Sequence, residues 1–227
     1  MKQFIKHRLL TFIAGMIDMK TLMQRSDIPL IHVFYHTVSD EYLPHIHPLY
    51  SPKSVSEFKK DIDFLLKYFN PIEPEEIINL KNEKRKGKPA IHFSFDDGLR
   101  GVYEIIAPIL FEKGIPATLF INSGFVDNKD LFYRHKAALI IDFLQKNKVK
   151  DEIQSDIEQF PGLLKIEGKS IRERLLKVSY FQQDLLEDTA NLLGIDFALF
   201  LKKEKPYMKI AEIKELQQKG FLSADTV

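Results

Sequence analysis

Apolar residues follow two different rhythms along this chain, and the change between them organises it. Up to about residue 121, short solid apolar runs alternate with amphipathic stretches. Ile28–Tyr35 (IPLIHVFY), Ala90–Phe95 (AIHFSF) and Ala117–Ile121 (ATLFI) are rich in β-branched and aromatic residues, the composition of strands buried on both faces. Ser54–Phe69 instead places Phe58, Ile62, Leu65, Leu66 and Phe69 at helical spacing, and its opening Ser54-x-x-Glu57 is a capping box. A second helix is predicted over Gly101–Lys113, and a Gly-Ile-Pro turn joins it to the third strand. Strand, helix, strand in that order predicts parallel pairing.

From Asp127 to Lys205 only the helical rhythm remains, first in Leu139, Ile140, Phe143 and Leu144, then in Leu175, Leu176, Phe181, Leu185, Leu186, Leu192 and Leu193. Residues 127–205 therefore read as a helical insertion in one domain spanning 1–227. A second domain is disfavoured because Met208–Lys219 resumes an amphipathic helix, with Gly220 placed to cap it. Another strand is due next, yet the chain offers only Phe221–Val227. At the other end, Lys2, Lys6 and Arg8 precede an apolar run, Leu9–Ile17, that Asp18 and Lys20 interrupt. It is too short to span a bilayer and predicts an amphipathic helix, packed on the domain or lying at a membrane surface. The expected location is cytoplasmic or peripheral to a membrane.

Composition narrows the choice of partner. With 33 Lys and Arg against 32 Asp and Glu, no charge excess exists to hold nucleic acid or an anionic membrane. The short basic stretch Lys81–Lys88 (KNEKRKGK) reads as a solvated turn ahead of a strand. There is no cysteine, which leaves oxygen and imidazole as the metal ligands on offer.

Chemistry concentrates at one place. Asp96-Asp97-Gly98 follows the buried strand Ala90–Phe95, and in α/β folds sites assemble at the C-terminal ends of parallel strands. By itself the tripeptide could be a simple turn. It occurs, however, within Phe93-Ser-Phe-Asp-Asp-Gly98, followed by Ala107-Pro-Ile-Leu and Gly114-Ile-Pro-Ala-Thr-Leu-Phe-Ile121. This series resembles the first signature block of the polysaccharide deacetylase (NodB-homology) family, and the flanks Phe34-Tyr-His36 and Met208–Phe221 resemble family segments as well. The resemblance implies an α/β fold, a partial and distorted (β/α) barrel like a TIM barrel, with mostly parallel strands. It implies a hydrolase that removes acetyl groups from an acetylated oligo- or polysaccharide with a divalent metal, zinc by preference. Asp96 matches the family's general base and Asp97 its metal-binding aspartate, while Ser94 stands where threonine is usual and keeps the hydroxyl. Such an ion polarises the acetyl carbonyl and acidifies its bound water. Asp96 would take that water's proton.

The family's two metal-binding histidines, H-x-x-x-H, follow the helix that here ends near Gly220, and no such pair occurs before Val227. The chain is thus expected to be truncated, to bind zinc weakly, and to be impaired as an enzyme; the alternative is an inert remnant or carbohydrate-binding module of the same partial fold. Leu222–Val227 is compatible with codons TTA TCG GCA GAC ACA GTG, which in another frame contain Ile-Gly-Arg-His-Ser, so a shifted reading frame near Phe221 is an expected origin of this ending. Without later strands, the third strand is expected to be left as a bare edge. Among the other histidines, His36 at the exit of the first strand is the candidate for touching substrate. His45 and His47 form an H-x-H pair in the proline-containing loop Thr37–Pro52, where no third ligand accompanies them. His92 and His135 are expected to serve packing.

Overall fold

A computed structural model describes residues 21, 28–79, 87–147, 157 and 160–225. The segment Leu9–Ile17 and most of Lys81–Lys88 lie outside the described residues. The sheet is α/β in character and open. Strands β1 (Leu30–Tyr35), β3 (Ala90–Phe95), β4 (Ala117–Ile121) and β5 (Leu222–Asp225) lie side by side in the order β1-β3-β4-β5, every pairing parallel, while β2 (Asn70–Pro71) pairs with the first two residues of β3. Every residue of β3 is buried, as expected of an inner strand of a covered parallel sheet.

Local signals account for the helices around it. Helix α1 (Val55–Tyr68) starts at the predicted capping box, with Ser54 Oγ accepting from the Glu57 amide at 3.2 Å and a Glu57 carboxylate oxygen accepting from the Ser54 amide at 2.8 Å. A short helix α2 (Pro74–Asn79) follows β2; neither was legible in the apolar pattern. The helix predicted over Gly101–Lys113 is a π-helical stretch, Val102–Ile106, that tightens into α3 (Ala107–Glu112). Pro108 supplies the reason, since it has no amide to donate back into the preceding turn. One core joins Phe58 and Ile62 of α1, Phe93 and Phe95 of β3, and Ile106 and Leu110.

Between β4 and β5 the described regular elements are helices, preceded by a 3₁₀ turn at Val126–Asn128: α4 (Tyr133–Lys146), α5 (Pro161–Leu164), α6 (Ile171–Lys177), α7 (Asp184–Leu193), α8 (Phe197–Glu204) and α9 (Ile210–Gln218). Helices α4 to α8 build a second core around Ile140, Leu175 and Leu186, while Ile213 and Leu216 of α9 join the first. The chain then returns to the sheet through Pro206–Met208. Arg100 N–H donates to Pro206 O at 2.8 Å and Met208 N–H to Gly98 O at 2.9 Å, so this return segment runs beside the turn that leaves β3. Asn128 clamps it, accepting from Tyr207 N–H at 2.9 Å and donating to Tyr207 O at 3.2 Å.

The ending differs from expectation. Gly220 has φ 95°, and Phe221 N–H donates back to Leu216 O at 3.0 Å, a glycine-terminated helix cap that turns the backbone sharply. Phe221 is buried against Phe111, ring centroids 4.7 Å apart, and Leu222–Asp225 then pairs with β4. The strand due after α9 is therefore present, and β4 is flanked on both sides instead of forming a bare edge.

Candidate functional site

The parallel register of β1 and β3 brings three of the chain's chemically active side chains together. Tyr35 pairs with Phe95, so His36 and Asp96 leave the sheet level with each other, and Asp96 N–H donates to Tyr35 O at 3.1 Å. His36 Nδ1 lies 3.4 Å from Asp97 Oδ2 and 3.8 Å from Asp96 Oδ2. Each of these side chains is about one-third exposed, His36 at 35%, Asp96 at 32% and Asp97 at 34%, which leaves the group reachable from solvent.

Backbone strain is localised at the same point. Asp97 has φ 68° and Gly98 φ 65°, two consecutive left-handed residues. A side chain pays for that conformation, aspartate less than most, and such outliers gather at functional sites. Gly98 is required twice over, because a Cβ there would also come within 3.2 Å of Ile121 Cγ2. Partial burial pushes the carboxyl of Asp96 above the ordinary carboxylate range, His36 opposing this and the neighbouring Asp97 adding to it; burial raises Asp97 too, again against the pull of His36. Two carboxylates side by side, under-solvated and sharing one imidazole, are poised to take up a proton. His36 Nδ1 is itself buried without a hydrogen bond.

Two tyrosines join the neighbourhood that the sequence reading did not single out. The Tyr50 ring centroid is 5.8 Å from that of His36, and burial followed by the charge of Asp97 raises its phenol. Tyr207 is 1% exposed, and its hydroxyl accepts from Phe132 N–H at 3.0 Å and lies 2.7 Å from His135 Nδ1. Its sequence signal was slight, a lone Pro-Tyr between two helices.

The remaining histidines separate from this group. His47 Nδ1 accepts from Leu43 N–H at 2.9 Å inside its own turn, whereas His45 is buried with its ring 5.3 Å from His135, so the H-x-H pair is directed to two different tasks. Burial lowers His45 to about 4. His135 is pushed well below the ordinary range, first by burial and then by His45. His92 is buried in β3, with Nε2 2.9 Å from Thr118 Oγ1. Among the described residues no group of three or more His, Asp or Glu side chains is arranged to hold a metal ion. His36, Asp96 and Asp97 thus do not complete a metal centre by themselves. Among the described residues, too, no helix is long and apolar enough to cross a membrane.

Beside the carboxylates lies a cavity of about 430 Å³. Its walls are Thr37–His45, which follows His36, and Leu99–Gly101 with Glu104 and Ile105, which follow Asp97 and Gly98, closed by Glu204–Pro206. None of His36, Asp96 and Asp97 lines it.

Comparison with known proteins bears on this geometry. A polysaccharide deacetylase family model matches residues 83–160, the span containing β3, the Asp96–Asp97 turn, β4 and α4, so the resemblance read from the sequence is borne out there. No curated protein sequence matches the chain. Among solved structures, IcaB from Ammonifex degensii is similar at 16% identity and TM-score 0.38, over 88% of this chain and 86% of that one. The Streptococcus pyogenes deacetylase PplD in complex with acetate is 16% identical at TM-score 0.38, over 73% and 80%. A de-N-acetylase from Aggregatibacter actinomycetemcomitans is 17% identical at TM-score 0.36, over 85% of each chain.

Proposed function

We propose that this chain, which carries the polysaccharide deacetylase pattern over residues 83–160, is a hydrolase that removes acetyl groups from an acetylated sugar polymer or oligomer. The observation that carries this reading is the convergence of His36, Asp96 and Asp97, each partly exposed, at the ends of two adjacent parallel strands, with the backbone strained at Asp97 and His36 Nδ1 short of a hydrogen bond.

Each residue has a role suited to its surroundings. Asp96 is the general base. Its carboxyl, raised first by burial, takes a proton more readily than an ordinary aspartate, which suits a group that must accept one from water. His36 faces both carboxylates from the neighbouring strand and is placed to hydrogen-bond a sugar hydroxyl or the acetyl oxygen. Asp97 is the side chain that would hold a divalent ion, zinc by preference; bound there, the ion would polarise the acetyl carbonyl. The described residues offer that ion no second and third ligand of their own, and the roles of Asp96 and His36 are argued without it.

The test is acetate release from acetylated hexosamine oligomers by the purified chain, with and without added divalent ions. Release that is abolished by Asp96→Asn supports the reading. Binding of the oligomers without release under any ion would instead mark a carbohydrate-binding module.

A further inference from the structure

We propose that the cavity beside the carboxylates is a binding site for a sugar unit bearing a free, protonated amine. The proposal rests on the deacetylase reading and extends it to the unit next to the one being cleaved.

Position comes first. The cavity is walled by the continuations of the same two segments that present His36 and Asp96–Asp97, so a polymer lying across these strand ends passes from one to the other. A volume near 430 Å³ lies in the range of small-ligand sites, ~300–1,000 Å³.

Charge selects the ligand. Four carboxylates line the cavity, Asp40, Glu41, Glu104 and Glu204, against two cations, Arg100 and Lys205. Arg100 is already committed, with Nε 3.1 Å from Glu104 Oε1 and Nη2 3.3 Å from Glu212 Oε1, and Glu212 is outside the lining. Lys203, also outside the lining, lies 3.5 Å from Glu204 and offsets Glu212, so an excess of two carboxylates remains. His45 also lines the cavity, 5% exposed, and its Nδ1 has no hydrogen-bond partner. Buried polar atoms seldom go unpartnered, and a polar ligand group here would supply what the protein does not. Held neutral by burial, this imidazole adds no positive charge to offset the carboxylates.

An acetamido group offers those carboxylates a single neutral N–H donor, whereas an ammonium offers three donors and a compensating charge. The chemistry of deacetylation creates that group. Water adds to the acetyl carbonyl, the C–N bond breaks, the acyl carbon leaves as acetate with the water's oxygen, and the nitrogen takes up both of the water's protons to become ammonium. The enzyme would thus favour an acetylated unit flanked by one already deacetylated.

Calorimetric titration of the full chain with a β-linked glucosamine dimer and with its di-N-acetyl counterpart tests the idea. We expect the amine form to bind about tenfold tighter, the equivalent of ~1.4 kcal/mol. Glu41→Gln combined with Glu204→Gln, at two exposed positions, should bring the two affinities together. Equal binding of the two dimers by the unaltered chain, or a preference that persists in the double variant, overturns the proposal. A simple alkylamine that binds as tightly as the amino sugar overturns its sugar component. Acetate release tells the two readings apart: release without amine preference removes only this site, and amine preference without release removes only the hydrolase.

Discussion

His36 and His135 sit in one molecule in opposite circumstances. His135 is 2% exposed, its Nδ1 is 2.7 Å from Tyr207 Oη, and rings from Phe132, Tyr207 and His45 pack around it. His36 is one-third exposed, lacks a hydrogen bond at Nδ1, and faces two carboxylates on a strained turn. In the helical region the buried polar groups are largely matched, as for Lys136, whose Nζ lies 3.1 Å from Asp130 and 2.8 Å from Glu187. At the strand ends they are close but unmatched. The lesson is that a buried histidine with a partner reports stability, whereas a half-exposed one short of a partner reports chemistry.

The sharpest way to break this comparison is through turnover. Asp96→Asn should lower acetate release by ~10²–10⁴, the usual worth of a general base, with little change in melting temperature. A loss of both in parallel would show Asp96 to be structural.

Tyr207→Phe should do the reverse. It strands Phe132 N–H and His135 Nδ1, both directed at the lost hydroxyl. An unsatisfied buried group costs ~1–3 kcal/mol, so with two such groups chemical denaturation should report a loss of about 2–6 kcal/mol.

Acid should separate the two clusters by sign. His45 is lowered from 6.5 to about 4 in the folded chain. The unfolded chain binds the extra proton within that window, so stability falls as pH drops from 6.5 toward 4, by ~1.4 kcal/mol per pH unit for each such histidine. His45→Gln should flatten the slope measured by urea midpoints. Asp96 and Asp97 act oppositely, because their folded carboxyls are raised. Their ionisation costs stability above the folded pKa, and the cost disappears below the ordinary carboxylate range.

Ser54→Ala removes the cap of α1 and should cost about 1 kcal/mol without touching activity. Smallest is Asp97→Asn, which relieves the charge pair and keeps a side chain that tolerates φ 68°. It should raise the stability slightly at neutral pH, by less than about 1 kcal/mol for a partly exposed group, and the gain should vanish in acid. A destabilised Asp97→Asn would show that the carboxylate holds the turn together.

The sequence by itself determined three parallel strands, read as Ile28–Tyr35, Ala90–Phe95 and Ala117–Ile121, the capped helix after Ser54, and the Asp96–Asp97 turn; the first strand, expected to be buried, is a part-exposed one with Phe34 67% exposed. These are set by neighbours in the chain, through apolar runs, capping and turn residues. It also placed His36 at a strand exit, one residue beyond the register that Tyr35 and Phe95 share. What only the tertiary structure decided involves partners far apart in sequence. The pairing of β5 with β4 depends on Phe221 packing against Phe111, which no local pattern encodes. Tyr207 acquires its role from Asn128, Phe132 and His135, more than seventy residues away, because the helical segment must return to the turn after β3. The cavity beside the carboxylates likewise exists only where loops after β1 and β3 meet the end of α8, and the charge within it is a sum that no single segment carries.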